Sequence, residues 1–256
     1  MRYETIRQER MGDAVVLTLD RPQVKNALNA QMRAELTHAL RQAGAEARAV
    51  VLTGAGDAFC SGQDLGDARG RLDLERVLRD EYQPLLRAVV DCPVPTLAAV
   101  NGAAAGAGAN LALCCDVAVA SDRAVFVQAF ARIGLVPDAG GTYWLPRQMG
   151  LAKAMGAALF GEPVTARQAD DWGMIWRAVP EAEFDAEWRA RATALATGPT
   201  AALTATKQAL RRSFVHTLEE QLALEAHLQG EMGQTRDFKE GLVAFAEKRA
   251  PRFEGR

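Results

Sequence analysis

Ala99-Val100-Asn101-Gly102-Ala103-Ala104-Ala105-Gly106-Ala107-Gly108 is the stretch on which the reading of this chain turns. Residues 96–100 have strand character, Asn101-Gly102 turns the chain, and a helix is expected from about residue 106 to 115. The segment is almost uncharged and about as long as a membrane span, but it is built from Ala and Gly and interrupted by Asn101, Gly102 and Asn110. A tightly packed buried strand, turn and helix is the expectation. A helix start presents unpaired amides and the positive end of a dipole, and small side chains let a ligand approach that backbone closely. A second segment, Ala58-Phe59-Cys60-Ser61-Gly62-Gln63-Asp64-Leu65, follows a short buried strand at residues 49–52 and is able to aim N–H groups at the same oxygen.

Outward from these segments the pattern alternates. Residues 3–9 and 14–19 read as a hairpin around Met11-Gly12-Asp13, and Asn29 caps a helix with Met32, Leu36 and Leu40 at four-residue spacing. A glycine-rich loop is expected over residues 54–70, a helix over 72–90, and strands over 117–120 and 125–127. After Gly140 nearly everything reads as helix (151–160, 166–172, 181–196, 200–213, 218–229, 235–248), apart from a short strand at 174–179. Strands alternating with helices predict an α/β core, taken as residues 1–195, followed by a helical region over 196–256. The apolar stripes of those last helices need something to cover them, and a subunit interface is the expectation.

Composition narrows the function classes. The 256 residues carry 30 Lys and Arg against 32 Asp and Glu, so there is no basic stripe for nucleic acid or an anionic membrane surface. Cys60, Cys92, Cys114 and Cys115 form neither a C-x-x-C pair nor a cluster with His, which points away from a metal site and toward buried thiols in a reducing compartment. The charged start of the chain lacks the apolar run of a signal peptide, and a cytoplasmic location is expected. Gly54-Ala55-Gly56 and Gly106-Ala107-Gly108 both fail the dinucleotide fingerprint, because Phe59 and Leu111 stand where its third glycine belongs. No phosphate loop, nucleophile elbow or H-E-x-x-H occurs. His38, His216 and His227 lack a partner carboxylate at a suggestive spacing, while Trp172, Trp176, Met149 and Met155 read as packing residues.

The residues 58–65, Ala99-Val100-Asn101-Gly102, residues 106–116 and Gly134-Leu135-Val136-Pro137-Asp138-Ala139-Gly140-Gly141-Thr142, in this order, resemble the crotonase, or enoyl-CoA hydratase/isomerase, superfamily. The closing Phe245-Ala246-Glu247-Lys248-Arg249-Ala250-Pro251-Arg252-Phe253 is similar to that family's tail. The resemblance implies a spiral of ββα units, a helical trimerisation region and a trimer or a hexamer made from two trimers. It also implies an acyl-CoA substrate with no separate cofactor, and the amides of Gln63 and Ala107 as the oxyanion hole for a thioester carbonyl. Substrate-binding positions implied in the same way are Lys25, Ala27, Ser61, Asp64, Leu65, Gly106, Phe130 and Lys248. Of these, Lys25 lies in the segment that resembles the family's adenine and phosphate contact region, and Lys248 is placed toward a neighbouring subunit's CoA. From its residue type alone, Asp64 is more simply read as holding its loop through hydrogen bonds.

Hydratases of the family use two glutamates, and the matching positions here are Asn110 and Phe130. Neither residue can act as a general acid or base near neutrality, so water addition is left without its proton carriers. Asp138 stands where hydratases typically have glycine and where other isomerases of the family place a carboxylate. Phe126, Phe130, Leu135 and Trp144 are expected to desolvate it and raise its pKa. The expectation is an isomerase in which Asp138 shuttles a proton on a CoA thioester. Residues 60–65, 106–109, 136–138 and 171–176 most resemble the branch that converts ring-1,2-epoxyphenylacetyl-CoA to an oxepin. A Δ3,Δ2-enoyl-CoA isomerase asks for similar residues, and an acyl-CoA-binding subunit without catalysis is the alternative outside enzymology.

Overall fold

The computed structural model describes residues 3–66 and 73–256. In chain order the strands are β1 (Ile6–Met11), β2 (Ala14–Leu19), β3 (Ala49–Gly54), β4 (Ala58–Cys60), β5 (Thr96–Val100), β6 (Ala103–Ala105), β7 (Val117–Ser121), β8 (Val125–Val127), β9 (Val164–Thr165) and β10 (Arg177–Val179). The helices are α1 (Ala30–Glu46), α2 (Leu74–Val77), α3 (Gln83–Val90), α4 (Ala107–Cys114), α5 (Gly141–Phe160), α6 (Ala166–Asp171), α7 (Glu181–Thr197), α8 (Thr200–Arg212), α9 (Leu218–Met232) and α10 (Arg236–Glu247).

Two sheets form, ordered β1-β2-β3-β5-β7-β10 and β4-β6-β8-β9. Each of the pairs β3/β4, β5/β6 and β7/β8 sends its first strand to the larger sheet and its second to the smaller, and pairing between successive units is parallel in both. A helix returns the chain between units, so the units stack as turns of a spiral, the crotonase arrangement. Asn101 ties neighbouring corners together: its Oδ1 accepts from Gly54 N at 3.2 Å and its Nδ2 donates to Gly56 O at 3.0 Å.

The larger sheet is covered on both faces. Met32, Leu36 and Leu40 of α1 are wholly buried in the main core, as their spacing predicts, and each contributes about 1.5 to 3 kcal/mol by leaving water. On the other face Phe184, Trp188 and Ala192 of α7 pack with Val51, Leu97 and Val119. The helix α8 is pinned to the core by Asp116, which sits 2.9 Å from Lys207 Nζ and 2.7 Å from Arg211 Nη2 and also accepts from Thr96 N and Oγ1.

Several local expectations are corrected. The loop expected over residues 54–70 contains β4, and β6 is a strand of three alanines. Both are too short for alternation to betray them and exist because they pair with each other. The helix expected from residue 72 is described from Leu74, Leu72 lying outside the described residues, and it passes through a π-turn at Leu78–Tyr82. Pro84 accounts for that turn, because its ring crowds the carbonyl four residues back. The helix expected at 151–160 begins at Gly141 and is broken only at Gly150. The strand expected at 174–179 shrinks to β10, and Trp176, expected in the core, is 47 % exposed between Arg177 and Arg191. Met155 is likewise exposed, and His227 does have a carboxylate neighbour, Glu231 at 3.4 Å one turn on. All four cysteines are free and buried.

Candidate active site

Two of the quoted segments meet at Gly62. Leu28 and Gln63 form an isolated parallel bridge in which Leu28 N donates to Gly62 O at 2.8 Å and Asp64 N donates to Leu28 O at 3.1 Å. Bonds from the flanking residues turn Gln63's own N–H to the opposite side, away from Leu28. There Gly62 lies against Ala105 and Ala107: a Cβ at Gly62 would stand 2.7 Å from Ala105 O and 3.4 Å from Ala107 N, and φ is +90°. Only glycine fits that approach. Ala107 is the first residue of α4, so its amide is a donor without an intrahelical acceptor. The helix start is fixed against β4, since a Cβ on Gly108 would be 2.4 Å from Cys60 O. Phe130, buried in a 3-10 turn, lies over Gly106, with Cζ 3.4 Å from where a Cβ on that glycine would begin.

One turn into the same helix stands Asn110, fully buried. Its Nδ2 donates to the backbone carbonyl of Asp138 at 2.8 Å, and its Oδ1 accepts from the buried Gln128 Nε2 at 2.8 Å. The carbonyl of Asp138 also accepts from Gly141 N at 2.8 Å, closing a turn in which Ala139 takes a left-handed φ of +46°. The Asp138 carboxylate is therefore held by backbone geometry, while its Oδ1 is buried with no hydrogen-bond partner among the described residues. Burial raises its pKa to about 6, outweighing the opposing effect of its own backbone N–H. Of the walls expected around it, Phe126 and Phe130 are buried, Trp144 packs against the core, and Leu135 is exposed.

The loop carrying Gln63 is anchored by charged groups. Asp64 binds Arg21 Nη1 through Oδ2 at 2.7 Å and Gly66 N through Oδ1 at 2.8 Å. Burial favours a raised Asp64 pKa, but these bonds and the charges of Arg21 and Arg33 hold it below the ordinary carboxylate value. Both oxygens being engaged, Asp64 holds the loop as its residue type suggested. Ser61 is occupied in the same way, its Oγ donating to Val24 O at 3.1 Å and its N to Lys25 O at 2.9 Å. Lys25 is exposed beside it at a left-handed backbone position, and Ala27 is buried with its carbonyl accepting from Arg21. Thus Lys25, Ala27, Ser61, Gln63, Asp64, Gly106, Ala107 and Phe130 are brought into one neighbourhood. Leu65 follows on an exposed edge, and Lys248 caps α10, its described contacts lying within that helix.

Sequence reasoning missed Asn26, Arg33, Tyr82 and Gln128. Buried Asn26 adopts φ +57° and donates to Ala55 O and Ala58 O, both at 2.9 Å, latching the 21–28 loop onto β4. Arg33 Nη1 and Tyr82 OH both donate to Gln63 Oε1, at 3.0 and 2.7 Å. A signal for Arg33 existed: it lies seven residues before Leu40, on the apolar face of α1.

Among the described residues no helix is long and apolar enough to cross a membrane. The family model for enoyl-CoA hydratase/isomerase matches residues 9–256. A Rhodobacter capsulatus protein named "Probable enoyl-CoA hydratase" is 62% identical over 257 residues, covering 100% of both chains. The Escherichia coli 1,2-epoxyphenylacetyl-CoA isomerase is 43% identical over 94% of this chain and 95% of its own. The crystal structure of an enoyl-CoA hydratase from Bacillus anthracis superposes with a TM-score of 0.92 at 30% identity, covering 99% of this chain and 100% of that one. This chain belongs to the enoyl-CoA hydratase/isomerase family, the crotonase superfamily.

Proposed function

We propose that the protein is an acyl-CoA isomerase in which Asp138 is the single proton carrier and the amides of Gln63 and Ala107 hold the thioester oxygen. The observation that carries this reading is the buried Asp138 Oδ1, without a hydrogen-bond partner among the described residues and fixed through Asn110 to the helix whose first amide is Ala107. Asp138 takes a proton from the carbon next to the thioester, the carbonyl becomes an enolate oxygen held by two N–H donors, and the carboxylic acid so formed gives a proton back to carbon. No atom is gained or lost, so no cofactor is required, CoA being part of the substrate. Preorganised donors of this kind are worth about 3 kcal/mol each toward the transition state.

The acyl group proposed is the ring-1,2-epoxide of phenylacetyl-CoA, rearranged to the oxepin. The carbon–carbon bond between the two epoxide carbons breaks as the ring takes in the oxygen, and the proton lost beside the thioester is balanced by one placed on a ring carbon. Support comes from the similarity to the Escherichia coli isomerase and from an apolar Phe130 over Gly106 where a second carboxylate is lacking. Lys25 is assigned to a CoA phosphate as a point charge, and Lys248 to the CoA of a neighbouring subunit. The name of the Rhodobacter capsulatus relative favours a hydratase. Against that stands the chemistry at 110 and 130, an amide and a phenyl ring, neither of which activates water.

Two apolar faces of unlike composition, Leu151, Met155, Leu159 and Phe160 on α5 and Phe238, Leu242 and Phe245 on α10, stand exposed. Unlike faces suit head-to-tail contact that closes into a ring, and we assign them to a homotrimer, single or paired as a hexamer, with residues 196–256 as the trimerisation region. The cytoplasm suits an enzyme with four free buried thiols.

The test is product analysis on three substrates: ring-1,2-epoxyphenylacetyl-CoA, a 3-enoyl-CoA and a 2-enoyl-CoA. Turnover of the epoxide, with Asp138→Asn inactive yet still binding the CoA ester, supports the proposal. Faster turnover of the 3-enoyl-CoA replaces the substrate, hydration of the 2-enoyl-CoA overturns the reaction class, and turnover unchanged by Asp138→Asn removes its role.

A further inference from the structure

An oxyanion hole works only if its donors are aimed before the charge develops. Ala107 is aimed by its helix, but Gln63 belongs to neither a helix nor a named strand. Its environment holds a costly feature. Arg33 is 2 % exposed, a cation withdrawn from water, although an apolar residue at such a position is commonly as stable or more so. Its Nη1 donates to Leu28 O at 2.6 Å and to Gln63 Oε1 at 3.0 Å, so one nitrogen grips both partners of the Leu28–Gln63 bridge. Its Nε and Nη2 bind Glu81 Oε2 at 3.0 and 2.5 Å.

The next residue, Tyr82, donates from its hydroxyl to the same Gln63 Oε1 at 2.7 Å and presents its ring 5.0 Å from the guanidinium. Both Glu81 and Tyr82 end the π-turn at Leu78–Tyr82, a rare local geometry that recurs at functional sites. Gln63 Nε2 is turned back on Asp64 O at 3.2 Å, so both the oxygen and the nitrogen of the side chain are engaged by the protein.

We infer that Arg33 and Tyr82, acting through the Gln63 side chain, are positioning residues that aim the Gln63 amide at the thioester oxygen. This rests on the reading of that amide as a donor of the hole. Burial raises the Tyr82 hydroxyl's pKa far above its ordinary value, which keeps it a donor throughout the working pH range. The side chain of Gln63 thus serves the reaction without touching substrate.

The test uses phenylacetyl-CoA carrying 13C at the thioester carbonyl, whose infrared stretch falls in frequency when the oxygen is gripped by strong donors. Tyr82→Phe and Gln63→Met remove one partner each and leave every backbone amide in place. The expected result is a shrunken downshift and a kcat lowered about tenfold or more, with affinity for the probe within about threefold of wild type. A full downshift with kcat within about twofold of wild type in both variants overturns the inference, and so does a loss confined to affinity. Wild-type protein that binds the probe without any downshift contradicts the hole itself. Asp138→Asn, which removes only the base, keeps the downshift, so the two failures are told apart.

Discussion

The Nδ2 of Asn110 donates to the backbone carbonyl of Asp138 at 2.8 Å, joining the helix that begins with Ala107 to the turn that presents the carboxylate. A side chain at 110 that cannot donate breaks that link. An ionised Asp at this position is a near-isosteric acceptor facing another acceptor. Asn110→Asp is expected to cost about 1 to 3 kcal/mol in urea unfolding and to lower kcat/KM at least about tenfold. Retained stability and rate would show that the link does not hold the base.

A carboxylate acts as a base only when ionised, and burial raises the pKa of Asp138 to about 6. The rate kcat/KM is therefore expected to climb with pH up to about 6 and level off above it. Stability runs the other way. From the ordinary value of 3.8 up to about 6 the folded protein keeps a proton that the unfolded chain has released, so stability falls as pH rises through this window. Asp138→Asn removes a partly buried charge, and at pH 8 it is expected to be more stable by about 1 to 3 kcal/mol, the upper figure being the whole two-unit shift without solvent screening. The gain should shrink toward pH 4, as thermal unfolding at several pH values will report.

Gly62 and Gly12 both take positive φ, +90° and +59°, but differ in surroundings. A Cβ at Gly12 meets nothing within 4 Å, whereas at Gly62 it meets Ala105 O at 2.7 Å. Gly12→Ala should cost only the left-handed conformation, about 1 kcal/mol, and leave kcat intact. Gly62→Ala should cost about 2 kcal/mol or more and abolish turnover by separating the two donors proposed at Gln63 and Ala107. Equal effects in chemical unfolding and kinetics would contradict the close approach assigned to Gly62.

Half or more of each of Leu151, Met155, Leu159 and Phe160 is exposed along α5. Sedimentation velocity should find the wild-type protein at three or six times the 27.6 kDa chain. Phe160→Asp, which places a charge on that face, should shift the distribution toward single chains. A wild-type protein sedimenting as a single chain would remove the assembly proposed for both apolar faces.

Much of this architecture is readable in the sequence because its longer elements carry their own signals. Asn29 announces α1 and accepts from Met32 N at 2.9 Å, and the small residues of 99–108 announce a strand passing at close range into a helix. The second sheet leaves no such trace, since β4 and β6 have three residues each and owe their existence to partners distant in sequence. The site divides similarly. Local motifs pick out residues 60–65 and Asp138, but nothing near Tyr82 in sequence tells that its hydroxyl reaches Gln63 across 19 positions. Gln128 is equally silent: it matters only because it backs Asn110, 18 residues away.

Proton exchange at the carbon beside the thioester of phenylacetyl-CoA, followed by NMR in heavy water, tests the role of Asp138 most directly. Wild-type protein is expected to exchange that proton rapidly and Asp138→Asn to bind the ester with similar affinity while exchanging nothing. Exchange at an undiminished rate in the variant would contradict the account.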